Sequence, residues 1–141
     1  ADIHLSPDGK FLYASQRGNS TIQIFSVNKT DGSISYVASQ STMGSFPRNF
    51  SIHPSGNFLI AGNQNSNNAV VFRVNKKTGL LTETGQQISI GKPVCHVWLK
   101  KQFLANEDTF FTIRLFCIPD IVLPGISHGS TTGCQRLCHT N

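Results

Sequence analysis

Ser6-Pro-Asp-Gly-Lys-Phe-Leu-Tyr-Ala14 returns as His53-Pro-Ser-Gly-Asn-Phe-Leu-Ile-Ala61, and the spacing between the copies decides the fold. Pro7 and Pro54 stand 47 residues apart, as do Gly9 and Gly56, Phe11 and Phe58, and Ala14 and Ala61. The register holds without a gap through Phe25 and Phe72, Val27 and Val74, Asn28 and Asn75, and Gly32 and Gly79. A third copy then begins. Gly44-Ser-Phe-Pro-Arg-Asn-Phe50 is echoed by Gly91-Lys-Pro-Val-Cys-His-Val97, and no Pro-x-Gly turn follows Leu99. A fixed period of this size marks a chain built by stacking one supersecondary unit.

Within a repeat the apolar residues alternate, so the elements are strands. Asp2 to Ser6 forms a short strand, and Pro7-Asp8-Gly9 is a tight turn with Pro and Gly where such a turn wants them. Phe11 to Ser15 is the next strand, Gln16 to Ser20 a loop, and Thr21 to Val27 a clearly alternating third strand. Lys29-Thr-Asp-Gly32 is a hairpin of the Asp-Gly kind, leading to a fourth strand over Ile34 to Ser39. Four antiparallel strands per repeat make a β-propeller blade. A β-sandwich would offer no reason for a gapless period. The expected fold is all-β, with blades over about 1–45 and 46–92, a closing inner strand over 93–99, and an irregular tail over 100–141. Stacked repeats need about three units to bury their faces. The chain is therefore expected to be the C-terminal piece of a longer propeller, or to self-associate.

Composition agrees with a globular chain and excludes several classes. Of the 141 residues 38% are apolar and only 13% charged, which argues against a wholly disordered chain. The longest apolar stretch, Phe110 to Ile126, is broken by Arg114, Pro119, Asp120 and Pro124, so no membrane span is expected. The net charge of +5 is spread out, in pairs such as Lys76-Lys77 and Lys100-Lys101, so no nucleic-acid partner is expected. Four cysteines are too few for a disulfide scaffold, so the expected compartment is the reducing cytoplasm. The N-terminus has no Met and no basic-then-apolar leader, as in a processed chain or a fragment.

Strand alternation fixes which loops share a face. The minimal turns Pro7-Asp8-Gly9, Asp31-Gly32, Pro54-Ser55-Gly56 and Thr78-Gly79 lie on one face. The longer loops Gln16–Asn19, Phe46–Asn49, Asn63–Asn68 and Gly91–Pro93 lie on the other. Functional residues favour such loops on a rigid scaffold. Arg17, Arg48 and the starts of the inner strands are therefore expected around one pocket at the ring axis.

The run from Ala1 to Arg17, with Phe46-Pro-Arg-Asn-Phe-Ser-Ile52, Ala61-Gly-Asn-Gln64 and Lys92-Pro-Val-Cys95, resembles the lactonase-type seven-bladed propeller family. That family takes in the propeller form of 6-phosphogluconolactonase and the fungal carboxymuconate-lactonizing enzymes. The resemblance runs from Ala1 to about Leu99. It implies a hydrolase that opens a small sugar lactone such as 6-phosphogluconolactone, with no cofactor. It also implies that the segment over 93–99 is the last inner strand and closes the ring. Lactone hydrolysis needs a base to activate water and a positive group at the developing oxyanion. Arg suits a phosphate clamp through its bidentate fork. Arg48 resembles the Arg of the family's Pro-Arg motif, and Arg17 the Arg after the second strand. Both are candidate catalytic and substrate-binding residues. His4, on an inner strand, is the candidate for proton transfer. Asn63 and Gln64 are candidates for hydrogen bonding to substrate hydroxyls, against the alternative of a solvated loop. Asp2 is the only acid near an inner strand, so a carboxylate partner is otherwise missing.

The segment from Lys100 to Asn141 resembles nothing in the family and carries Cys117, Cys134 and Cys138. It reads as sequence foreign to the fold, as from an altered reading frame or an unspliced intron. Cys134-Gln-Arg-Leu-Cys138-His139 invites a metal reading, but zinc sites pair such a motif with a second one, so no metal is expected. Two rival readings stay open: a non-enzymatic propeller that docks a partner protein, and a truncated product without function. The isolated chain is expected to have little activity of its own.

Overall fold

The computed structural model describes residues 1–100 and 111–117, and within them two four-stranded antiparallel sheets follow one another. The first sheet comprises β1 (Ile3–Leu5), β2 (Phe11–Gln16), β3 (Thr21–Val27) and β4 (Ile34–Ser41), paired in that order. The second comprises β5 (Pro47–Ile52), β6 (Phe58–Asn63), β7 (Asn68–Val74) and β8 (Leu81–Ser89), again in sequence order. The 47-residue period is visible in the pairing itself. Phe25 faces Tyr36 across a register shift in the first sheet, and its repeat mate Phe72 faces Glu83 across a shift in the second. Each sheet is a meander of adjacent strands, as in a propeller blade.

The two blades stack face to face. Phe11, Tyr13, Ile22 and Ile24 alternate along β2 and β3 and bury one face of the first sheet. They meet Phe50, Leu59, Ala61, Val70, Phe72, Val74 and Leu81 of the second. The Tyr13 hydroxyl crosses this interface to donate to the Gly79 carbonyl at 2.9 Å, and burial pushes its phenol up to about 12. Gly79 closes the β7–β8 hairpin at φ +76°, a conformation that side-chain-bearing residues seldom adopt. A Cβ there would also collide with the Phe11 ring.

The loop sidedness follows the expectation. Thr42 and Phe46 donate their backbone N–H groups to the carbonyl and hydroxyl of Ser20, and Ile90 donates to Asn67. The longer loops therefore gather on one face. The Pro7 and Gly56 turns meet on the opposite face, where they border a small apolar cleft with Phe11, Tyr13 and Val74.

The third copy continues as β9 (Pro93–Lys100), which lies along β5 and β6. One feature departs from the reading of the tail as irregular throughout. β10 (Phe111–Cys117) pairs antiparallel with β9, from Phe111 opposite Lys100 to Cys117 opposite Pro93. The stretch has no clean alternation, so pairing with the free edge of β9, rather than its own pattern, defines it. Cys134, Cys138 and His139, which raised the metal reading, lie outside the described residues.

Gly79→Ala should destabilise the chain by about 2–4 kcal/mol, through backbone strain and the clash with Phe11. Urea unfolding followed by circular dichroism measures this. An unchanged midpoint would mean that the blades do not meet at this hairpin.

Candidate active site

The face that gathers the longer loops holds two linked groups of side chains. The first is a rim. Arg17, just past β2, sets its guanidinium over the Phe46 ring at 5.1 Å. The Phe46 carbonyl accepts the Gln64 backbone N–H at 3.0 Å, and the Gln64 side-chain Oε1 accepts from Arg48 at 3.3 Å. Phe46 holds φ at +63°, a strained value for a bulky residue, and its own N–H is tied to the Ser20 hydroxyl. Arg17 and Arg48 are thus brought to one rim through Phe46 and Gln64. Both arginines are exposed, and among the described residues no acidic side chain neutralises either.

The second group runs across the inner strands. Asp2 stands just before β1, where its carbonyl accepts the Ser15 N–H in continuation of the ladder, and His4 lies within β1, so the two side chains point to the same side as extended-chain alternation requires. His4 Nε2 lies 3.0 Å from Asp2 Oδ2, and the His4 ring stands edge-on to Phe50. Asp2 Oδ2 also accepts from Asn49 Nδ2 at 2.5 Å and from the Phe50 N–H at 3.2 Å, while Oδ1 accepts the Ile3 N–H at 3.0 Å. The His4 side chain is 44% exposed and that of Asp2 22%, so solvent reaches the pair.

Asn49 continues the chain. Its Oδ1 accepts both the backbone N–H and the ring Nδ1–H of His96, each at 2.7 Å. A backbone N–H can only donate, so the oxygen of the Asn49 amide must face His96 and its nitrogen must face Asp2. The His96 proton therefore sits on Nδ1, and Nε2 is a bare acceptor, buried without a partner among the described residues. Its ring packs on Gly62, where any Cβ would collide with it. Burial lowers His96 to about 4, against an opposing pull from Asp2.

Sequence reasoning placed Arg17, Arg48, His4 and Gln64 on this face, and the structure gathers them there. Asn63 departs from its expected place. It is fully buried, its Nδ2 donates to the Thr42 carbonyl at 2.9 Å and braces the loop before β5, and its Oδ1 has no partner among the described residues. The roles of Asn49 and His96 were missed. The signal was present, because Asp2, Asn49 and His96 occupy one position in three successive repeats, 47 residues apart. Reading that column would have placed the three side chains on neighbouring inner strands.

Residues 1–98 match the family described as lactonase, seven-bladed β-propeller. A protein of Formosa agariphila named 6-phosphogluconolactonase is 56% identical over 54 residues, which cover 37% of this chain and 15% of that protein. The Bacillus subtilis protein of the same name is 42% identical over 48 residues, 34% of this chain and 14% of its own. Among solved structures, the periplasmic gluconolactonase of Pseudomonas aeruginosa is similar at 29% identity and TM-score 0.65, covering 79% of this chain and 27% of that one. A Bacteroides uniformis structure described as a candidate 6-phosphogluconolactonase is 50% identical at TM-score 0.66, over 67% of this chain and 28% of that one. The matches thus cover about a seventh of the curated relatives and just over a quarter of the solved ones.

His96 ties this site to stability. Its folded value lies near 4 and its ordinary value is 6.5, so on acidification the unfolded chain takes up the proton first. Stability is full above about pH 6.5 and falls as pH drops towards 4, by up to about 3 kcal/mol. His53, also lowered by burial, acts in the same direction. Urea midpoints at pH 7.5 and 4.5 should differ accordingly, and His96→Gln should shrink the difference. An equal difference in the variant would contradict a buried, neutral His96.

Proposed function

The chain belongs to the seven-bladed β-propeller lactonase family, and we propose that its axial face binds a sugar lactone and opens it to the acid. The observation that carries this reading is the pairing of two exposed arginines on a rim, without an acidic partner among the described residues, with a solvent-accessible Asp–His pair on the inner strand. Both the family membership and the names of its relatives support it.

The chemistry assigns the parts. His4 takes a proton from a water that attacks the lactone carbonyl, and Asp2 holds the ring and steadies the imidazolium that forms. Arg48 stabilises the oxyanion, and Arg17 holds anionic substrate charge such as a phosphate. When the tetrahedral intermediate collapses, the ring C–O bond breaks and the proton returns from His4 to the leaving alkoxide. Gln64 keeps Arg48 aimed and can bond a sugar hydroxyl. No cofactor takes part in this scheme. The remaining pocket walls come from blades outside this chain, and 1–92 with 93–99 serve as two blades and the start of a third.

The rim also favours a small ligand over a protein partner. A protein-docking face offers a broad patch of aromatic and Arg anchors, whereas Phe46 is the one aromatic on this rim among the described residues, and Arg17 covers it.

In the complete propeller, Arg48→Ala should lower kcat/KM for 6-phosphogluconolactone by about 10²–10³-fold, mostly in kcat. Arg17→Ala should raise KM by roughly tenfold and leave an unphosphorylated lactone little affected. A spectrophotometric lactonase assay reads both. Wild-type rates in the two variants would overturn the assignment.

A further inference from the structure

Asp2 and His4 form the exposed pair, yet neither sets its own geometry. Asp2 Oδ2 receives three groups: His4 Nε2, the Phe50 N–H and Asn49 Nδ2. The Phe50 N–H is held by the backbone of β5, and Asn49 is the side-chain donor fixed from its far side, by two bonds from His96 to one oxygen. Those bonds dictate which way the amide faces. A flipped amide would set an NH₂ against the His96 N–H and an oxygen against the Asp2 carboxylate, so both ends forbid it. The third inner strand thereby fixes a donor on the second, and that donor fixes a carboxylate on the first.

We propose that Asn49 is a positioning residue, which uses its contact with β9 to hold the Asp2 carboxylate against His4 and so sets the proton-handling behaviour of the axial face. It touches neither substrate nor reacting atoms. The proposal rests on the reading of His4 as the group that moves the proton, but its structural half can be measured without any turnover. The charged and titratable groups facing the pair are Asp2, His4 and, through Asn49, His96. Among the described residues no other acidic or basic side chain meets them.

Asn49→Asp separates positioning from packing. The substitution keeps shape and keeps an oxygen for both His96 bonds, while it turns the donor aimed at Asp2 into a second carboxylate. When both carboxylates are ionised, the pair faces His4 with one more negative charge. The experiment is an NMR titration of the histidine rings in the full chain, alongside the pH profile of lactone hydrolysis in the complete propeller. The His96 Nδ1–H resonance should persist, which reports an intact acceptor side. The added negative charge should move the titration midpoint of the His4 ring upward by about one pH unit, and the rising limb of kcat should move to higher pH with it at unchanged KM. A His4 titration that stays in place while the His96 signal persists overturns the proposal. If the titration moves but neither chain hydrolyses a lactone, the positioning role stands and the lactonase reading falls. Should Asn49→Asp fail to fold, Asp2→Asn reads the same coupling from the other side. The Asn49 side-chain amide resonances and the His4 midpoint should both move, and unmoved Asn49 resonances overturn the proposal.

Discussion

A blade has two apolar faces and can hide neither alone. That constraint organises everything else in the chain. The first sheet buries Phe11, Tyr13, Ile22 and Ile24 against the second, and the second hides its other side, with Ile60 and Ala69, where β9 lies along β5 and β6. The far side of the first sheet has no such neighbour among the described residues, and Ile3, Leu5 and Tyr36 on it are 60%, 55% and 62% exposed. Burying apolar area contributes roughly 25 cal/mol per Å². Stacking therefore sets the order of the inner strands, and the order of the inner strands sets which side chains can meet.

The polar chain from His4 through Asp2 and Asn49 to His96 follows from that order. The Asp2–Asn49 and Asn49–His96 links each join one inner strand to the next, and those three residues share one place in the repeat. Buried polar groups are tolerated when they are bonded, and here the bonding demand specifies amide orientation and tautomer as well as contact. His96 is an exception within this chain of bonds: its Nε2 has no partner among the described residues, and its ring packs on Gly62, a position where only a glycine fits. The same geometry that joins the blades thus holds an acid–base pair open to solvent beside two arginines.

Most of the fold was legible in the sequence because the period is long, gapless and punctuated by Pro-x-Gly turns. Strand ends fell within about two residues, and the two loop faces followed from alternation alone. β10 was not legible, since Phe111–Cys117 becomes a strand by pairing with β9 rather than through its own pattern. At the site, Arg17, Arg48, Gln64 and His4 could be placed from their position beside or on inner strands. Asn63 could not, because one residue decides whether a side chain at a strand end faces the core or the loop, and Asn63 faces the core. Asn49 and His96 were hidden by chemical difference: an acid, an amide and an imidazole in one column do not look like a repeat until the hydrogen bonds between them are seen.

A ligand has two places to go on these blades, the proposed axial face and the apolar cleft beneath the Pro7 and Gly56 turns. The direct measurement is a chemical-shift map of the complete propeller titrated with 6-phosphogluconate, the product acid. The account predicts saturable shifts at Arg17, Gln64, Arg48 and His4, with Pro7, Gly56 and Lys76 unmoved. Shifts confined to the Pro7–Gly56 cleft, or none on the axial face at saturating acid, would contradict it.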